Sequence, residues 1–181
     1  ADAPWAANQI DPDRIRADAA AARAAGAELV VVSLHWGTEY QHQPDAFQRS
    51  TAEAILPGSE IDLVIGHHAH VVQPIEMVHG RYVVWGLGNQ LSNQTQAPRR
   101  DGLTVTATAS QGWDGRWRVT GVEAIPTWVD PGSFRVLPVV ATLSDPATPV
   151  GLQQELRASY HRTAEVVSSP ATPGVTVTPL P

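Results

Sequence analysis

Val64-Ile65-Gly66-His67-His68-Ala69-His70 puts three of the chain's seven histidines within four positions, directly behind the apolar run Leu63-Val64-Ile65. An apolar run of that size bounded by glycine reads as a buried strand. Histidines at its far end lie where open α/β sheets hold ligands, outside the carboxyl ends of the strands. A second stretch repeats the layout, with Leu29-Val30-Val31-Val32-Ser33-Leu34 running into His35-Trp36-Gly37. Two neighbouring strands that both end in histidine aim imidazoles at one point. In an extended His-x-His segment, side chains two apart share a face, so His68 and His70 are expected to converge with His35 while His67 points away. Neutral imidazole suits zinc, manganese and iron alike. The expectation is a divalent metal site, its ion left open among Mn, Zn and Fe, with His35, His68 and His70 as ligands.

Working outward, Asp11-Pro12 is a helix start, with Asp as N-cap and Pro at the first helical position. The Ala-rich segment 13–25 follows, and Gly26 is its stop. Strand 29–34 comes next, then a polar loop carrying Glu39, Tyr40 and His42. Pro44-Asp45 opens a second helix through about Ile55, and Pro57-Gly58 ends it. Strand 62–66 completes a strand–helix–strand crossover, which is expected to be parallel. Beyond His70 the pattern turns antiparallel. Segments 71–78 and 81–87 read as a hairpin about His79-Gly80, and 104–108 and 117–122 as a second one about Gly112-Trp113-Asp114-Gly115. Residues 126–149 read as Pro-rich and irregular, with Phe134, Val136 and Leu137 docking as an edge. A helix spans about 150–161. The division is one domain over 1–165 and a Pro-rich, disordered tail over 166–181.

Composition narrows the function classes. A formal charge of −6 argues against nucleic acid, which needs a basic face. With no cysteine in the chain, disulfides and thiolate metal sites are excluded. No apolar run approaches the roughly 18 residues of a membrane span.

Three segments together resemble a family. Ser33-Leu34-His35-Trp36-Gly37 with Glu39-Tyr40, then Val64 to Pro74, then Gly86-Leu87-Gly88-Asn89 are similar to the bacterial CapA family of capsule (poly-γ-glutamate) synthesis proteins, over roughly residues 8–140. The resemblance implies a calcineurin-like metallophosphoesterase fold, a four-layer α/β sandwich with a two-metal centre. By that analogy His35 and His68 serve one metal and His70 the other, and the three carry the catalytic role. Glu39 and Tyr40 are expected to contact substrate or to hydrogen-bond the histidines, and Asn89 to lie at the rim of the site against substrate, or else to serve as a turn residue in Gly88-Asn89. Ala69 stands where proline is usual, and Gln90 where phenylalanine commonly follows the Gly-Asn pair. The family's earlier aspartate- and asparagine-bearing segments have no counterpart in residues 1–34. The chain is therefore expected to be the C-terminal half of a longer protein, its partner being the missing N-terminal half.

The function implied is that of an extracytoplasmic, metal-dependent hydrolase or transferase. Its substrate is expected to be an anionic polymer or phosphoester in envelope or capsule metabolism. This chain alone is expected to be inactive for want of the carboxylate that bridges two metals. The alternatives are a non-catalytic scaffold for envelope polymer assembly, with a vestigial His cluster, and a mononuclear His₃ zinc site.

Overall fold

The computed structural model describes residues 8–181. Helix α1 (Pro12–Ala24) starts where Asp11 accepts the backbone N–H groups of Asp13 and Arg14. Strand β1 (Val31–Trp36), helix α2 (Ala46–Ile55) and strand β2 (Leu63–His68) form the expected crossover, and β1 and β2 pair in parallel from Val31↔Leu63 to Trp36↔His68. Strands β3 (Ile75–Val78) and β4 (Arg81–Val84) form the hairpin about His79-Gly80. Both turn residues have positive φ, 48° and 74°, the backbone that a two-residue primed turn demands. Because β4 lies parallel to β2, the first sheet runs β1-β2-β4-β3. The parallel unit followed by antiparallel strands is thus the architecture of this chain.

Alternation along β1 and β2 sends one face to the helices. Leu34, Trp36, Val64, Val83 and Trp85 pack with Ala19, Ala52 and Ile55 of α1 and α2. The opposite face supplies Leu63, Tyr82 and Val84, which pack against Leu103, Val122 and Ala124 of a second sheet. That sheet is built on the long antiparallel pair β5 (Asp101–Gln111) and β6 (Trp117–Val129). This cover does not reach all of β1. It is the edge strand of its sheet, and Val31 stays 52% exposed.

Three expectations need correction. Segment 126–149 is ordered: β6 runs on to Val129, β7 (Val136–Pro138) pairs with it, and α3 (Val139–Ser144) follows. Val136 and Leu137 do form an edge, whereas Phe134 is exposed, at a positive φ in the turn before it. Helix α4 extends from Val150 to Val167, because Leu156, Thr163 and Val167 keep an inward face past His161. The tail read as disordered is also laid down on the fold. Its strand β8 (Val175–Val177) pairs in parallel with β6 at 122–124, and the Pro173 carbonyl accepts the Tyr82 hydroxyl at 2.9 Å. Proline composition hid this, since strand addition needs only a few residues with free N–H and C=O groups.

Candidate metal centre

The carboxyl ends of β1 and β2 are drawn together by glycine. A Cβ on Gly66 would collide with the Trp85 carbonyl and the Trp36 indole nitrogen, so only glycine lets the Trp36 Nε1–H donate to the Trp85 carbonyl at 3.0 Å. Past Gly66 the chain leaves extended geometry. His68 and His70 have φ of 93° and 57°, left-handed values uncommon for residues with a side chain.

The loop that faces these histidines, 37–45, is held from several sides. Gly37 turns it at φ 89°, and the Tyr40 N–H donates to the Ala69 carbonyl at 2.7 Å. His42 Nδ1 donates to the Val72 carbonyl at 2.8 Å, and the Thr38 hydroxyl to Asp45 at 2.7 Å. Beneath it, Gln73 Nε2 donates to the Gln41 carbonyl at 2.9 Å.

Glu39, His68 and His70 meet in consequence. Each offers a ligand atom, and these atoms lie within 4.8 Å of one another. His35 adjoins the set, its ring centroid 4.6 Å from that of His68. Tyr40 lies against His70 at 6.1 Å between rings. Asn89 is buried, and its Nδ2 donates to the Arg99 carbonyl at 2.8 Å, which fixes the amide's orientation. Its Oδ1 then accepts from His70 Nδ1 at 2.8 Å and leaves the His70 Nε2 lone pair for a ligand.

The expected residues thus gather, for a different reason. His-x-His periodicity does not bring His68 and His70 together, because the segment is not extended; two left-handed residues do. Register makes His67 the cross-strand partner of His35, and the converging set of Glu39, His68 and His70 does not include it. Burial, reinforced by His35, pushes the His67 imidazole below its ordinary value. Glu39, read as a substrate contact, supplies the carboxylate of the donor set. Arg99, whose guanidinium lies 3.6 Å over the Tyr40 ring, was missed, because no local pattern links it to Tyr40.

Two imidazoles and a carboxylate suit Zn, Mn or Fe, and an amide that fixes one imidazole's tautomer is the usual support for such a ligand. The donor set therefore fits a divalent transition metal, with Glu39, His68 and His70 as its holders and His35 at hand.

These features define a mixed α/β domain whose parallel strands end in a candidate His–Glu metal centre. Residues 1–94 match the family described as bacterial capsule synthesis protein PGA_cap, and the chain belongs to that family. It is 34% identical over 121 residues to the PGA biosynthesis protein CapA of Bacillus subtilis, covering 65% of this chain and 32% of the relative. Against the capsule biosynthesis protein CapA of Bacillus anthracis it is 34% identical over 79 residues, 44% of this chain and 19% of the relative. A probable polyglutamine synthesis accessory protein of Mycobacterium tuberculosis is 29% identical over 62 residues, 34% of this chain and 16% of its own length. The chain thus spans at most about a third of the curated relatives it matches.

Proposed function

We propose that this chain is part of a metal-dependent hydrolase or transferase of capsule polymer metabolism, acting outside the cytoplasm on poly-γ-glutamate or a related anionic substrate. One observation carries the reading: a carboxylate and two imidazoles converge at the strand ends of a protein whose relatives are named for capsule and poly-γ-glutamate synthesis. A bound divalent ion there would polarise a substrate oxygen and acidify a bound water. The chain's own residues do the rest. Asn89 holds the His70 tautomer, Glu39 offsets the cation's charge, and the unfilled ring nitrogen of His35 beside them can hold or pass a proton.

The partner we propose is the remainder of the longer protein, and β1 is where it would attach. A six-residue edge strand with Val31 exposed is a surface that proteins ordinarily cover. Leu29, 39% exposed just ahead of it, extends the same surface.

A second reading has its own support. Among the described residues Glu39 is the one carboxylate in the converging set, and it is exposed, so no buried carboxylate stands ready there to bridge two metals. That favours a mononuclear site or a non-catalytic scaffold. Elemental analysis of the full-length protein, wild type and His68→Ala, tests the proposal. About one or two equivalents of a transition metal in the wild type, lost in the variant, supports a metal centre. A metal-free wild type after loading overturns it and favours the scaffold.

A further inference from the structure

Among the described arginines whose guanidinium has no acceptor, Arg99, Arg135 and Arg157, only Arg99 is half-buried. Its neighbours are matched: Arg100 pairs with Glu155 at 3.0 Å, and Arg162 with Asp101 at 2.8 Å. Arg99 instead lies flat, its Cζ 3.6 Å from the Tyr40 ring centroid. Stacking satisfies the face of the guanidinium and leaves its N–H edge unused.

The placement is specific. Tyr40 is held in a left-handed conformation, φ 66°, by its N–H bond to the Ala69 carbonyl between the two site histidines. Its ring packs at 6.1 Å from that of His70. Asn89 bonds His70 with one end of its amide and the Arg99 carbonyl with the other, both at 2.8 Å. One side chain therefore fixes both a candidate ligand and the backbone of the arginine. Only a half-buried cation without a counter-charge, at the rim of a candidate metal centre, makes this combination.

We infer that Arg99 is the anion-recognition residue of this site, receiving an oxyanion with two oxygens in reach of its N–H edge. A carboxylate or a phosphoryl group meets that need, because both match the guanidinium fork bidentately. The inference rests on the reading of the His–Glu set as a metal centre, and it identifies what binds beside the metal: the acidic group of the substrate. Tyr40, expected from the sequence to touch substrate, acts here as the platform that aims Arg99.

Calorimetric titration of the full-length protein, zinc-loaded and zinc-free, separates the possibilities. The probes are inorganic phosphate and a short γ-linked glutamate peptide, and the proteins are wild type, Arg99→Gln and Arg99→Lys, each checked for unchanged thermal melting and zinc content. One probe is expected to bind the wild type, and Arg99→Gln to weaken it roughly ten- to hundredfold, the worth of a charged hydrogen bond or two. Arg99→Lys should recover only part of this, since it keeps the charge and loses the fork. The probe that binds names the group as phosphoryl or carboxylate. Equal affinity in wild type and Arg99→Gln overturns the inference, as does binding of neither probe. Should zinc fail to bind while the anion still depends on Arg99, the metal reading falls and the anion site stands.

Discussion

Gln48 and Gln73 bond amide to amide inside the fold, Nε2 of Gln48 donating to Oε1 of Gln73 at 2.8 Å, with both side chains fully buried. The remaining amide groups are used as well: Gln48 Oε1 accepts the Asp45 N–H at 3.0 Å, and Gln73 Nε2 donates to the Gln41 carbonyl at 2.9 Å. This network ties the start of α2 and the turn after β2 to the loop that carries Glu39. Replacing Gln73 by Leu removes one acceptor of the buried Gln48 amide and the donor to the Gln41 carbonyl, and so frees that loop. We expect a loss of about 1–3 kcal/mol in urea unfolding together with faster amide exchange at Tyr40 and Gln41. Unchanged exchange there would show that the loop is held without Gln73.

Gly66 and Gly151 make a matched pair. A methyl on Gly66 meets the backbone of Trp85 and the Trp36 ring, whereas one on Gly151, in the first turn of α4, meets nothing within 4 Å. Gly66→Ala should therefore destabilise by about 1–3 kcal/mol or more through overpacking. Gly151→Ala should stabilise by about 0.4–1 kcal/mol by restricting the unfolded chain. Thermal melts of the two variants check both signs.

What the sequence disclosed was what is local. Asp11 and Asp45 signal helix starts within four residues of themselves, His79-Gly80 specifies its own turn, and an apolar run ending in histidine marks a strand end wherever the strand goes. The Gln48–Gln73 bond and the Tyr40–Arg99 stack join positions far apart in the chain by packing, and no periodicity encodes them. The convergence of His68 and His70 was anticipated through an extended segment, but it arises from two left-handed residues. Backbone of that kind is held by its surroundings, here the Ala69 carbonyl and Asn89, more than by its own residue types.

The C-terminal segment should behave as structure. Deleting residues 171–181 removes β8, the Thr178 N–H bond to the Ala124 carbonyl, and one acceptor of the Tyr82 hydroxyl. A loss of about 2 kcal/mol or more in denaturant midpoint experiments is expected from these bonds and the partial burial of Val175 and Val177. A disordered tail would leave the midpoint where it was.

Asp45 gives a pH signature. Burial works against its charge, but the Gln48 N–H and the Thr38 hydroxyl outweigh it and hold the carboxyl below its ordinary value. A depressed folded-state value stabilises the protein above the unfolded carboxyl's pKa of about 3.9; the contribution disappears as pH falls through the folded value. Asp45→Ala should cost about 0.5–2 kcal/mol at pH 7 as a lost cap. The gap to wild type should narrow steadily below about pH 4. Stability curves for the two proteins from pH 7 to pH 2.5 check this, and a gap constant over that range would mean that Asp45 caps without its charge.

Asn89 supplies the last test, because it bears on the candidate metal centre without belonging to its donor set. Its Oδ1 accepts from His70 Nδ1, and its Nδ2 anchors the Arg99 carbonyl. Asn89→Ala removes the first bond, so the His70 ring can turn and change tautomer. Zinc affinity should then drop about 10- to 100-fold. Asn89→Asp keeps an acceptor facing Nδ1 and should restore most of that affinity, while losing the donor to Arg99. His68→Ala and His70→Ala should each remove most binding. Because protons compete with the metal for every imidazole, wild-type affinity should also fall steeply from pH 7 to pH 5. Competition titrations with a chromogenic zinc chelator measure all five proteins on one scale. Zinc bound as tightly by Asn89→Ala as by wild type would mean that His70 is oriented by something else, and the tautomer assigned to it through Asn89 would have to be abandoned.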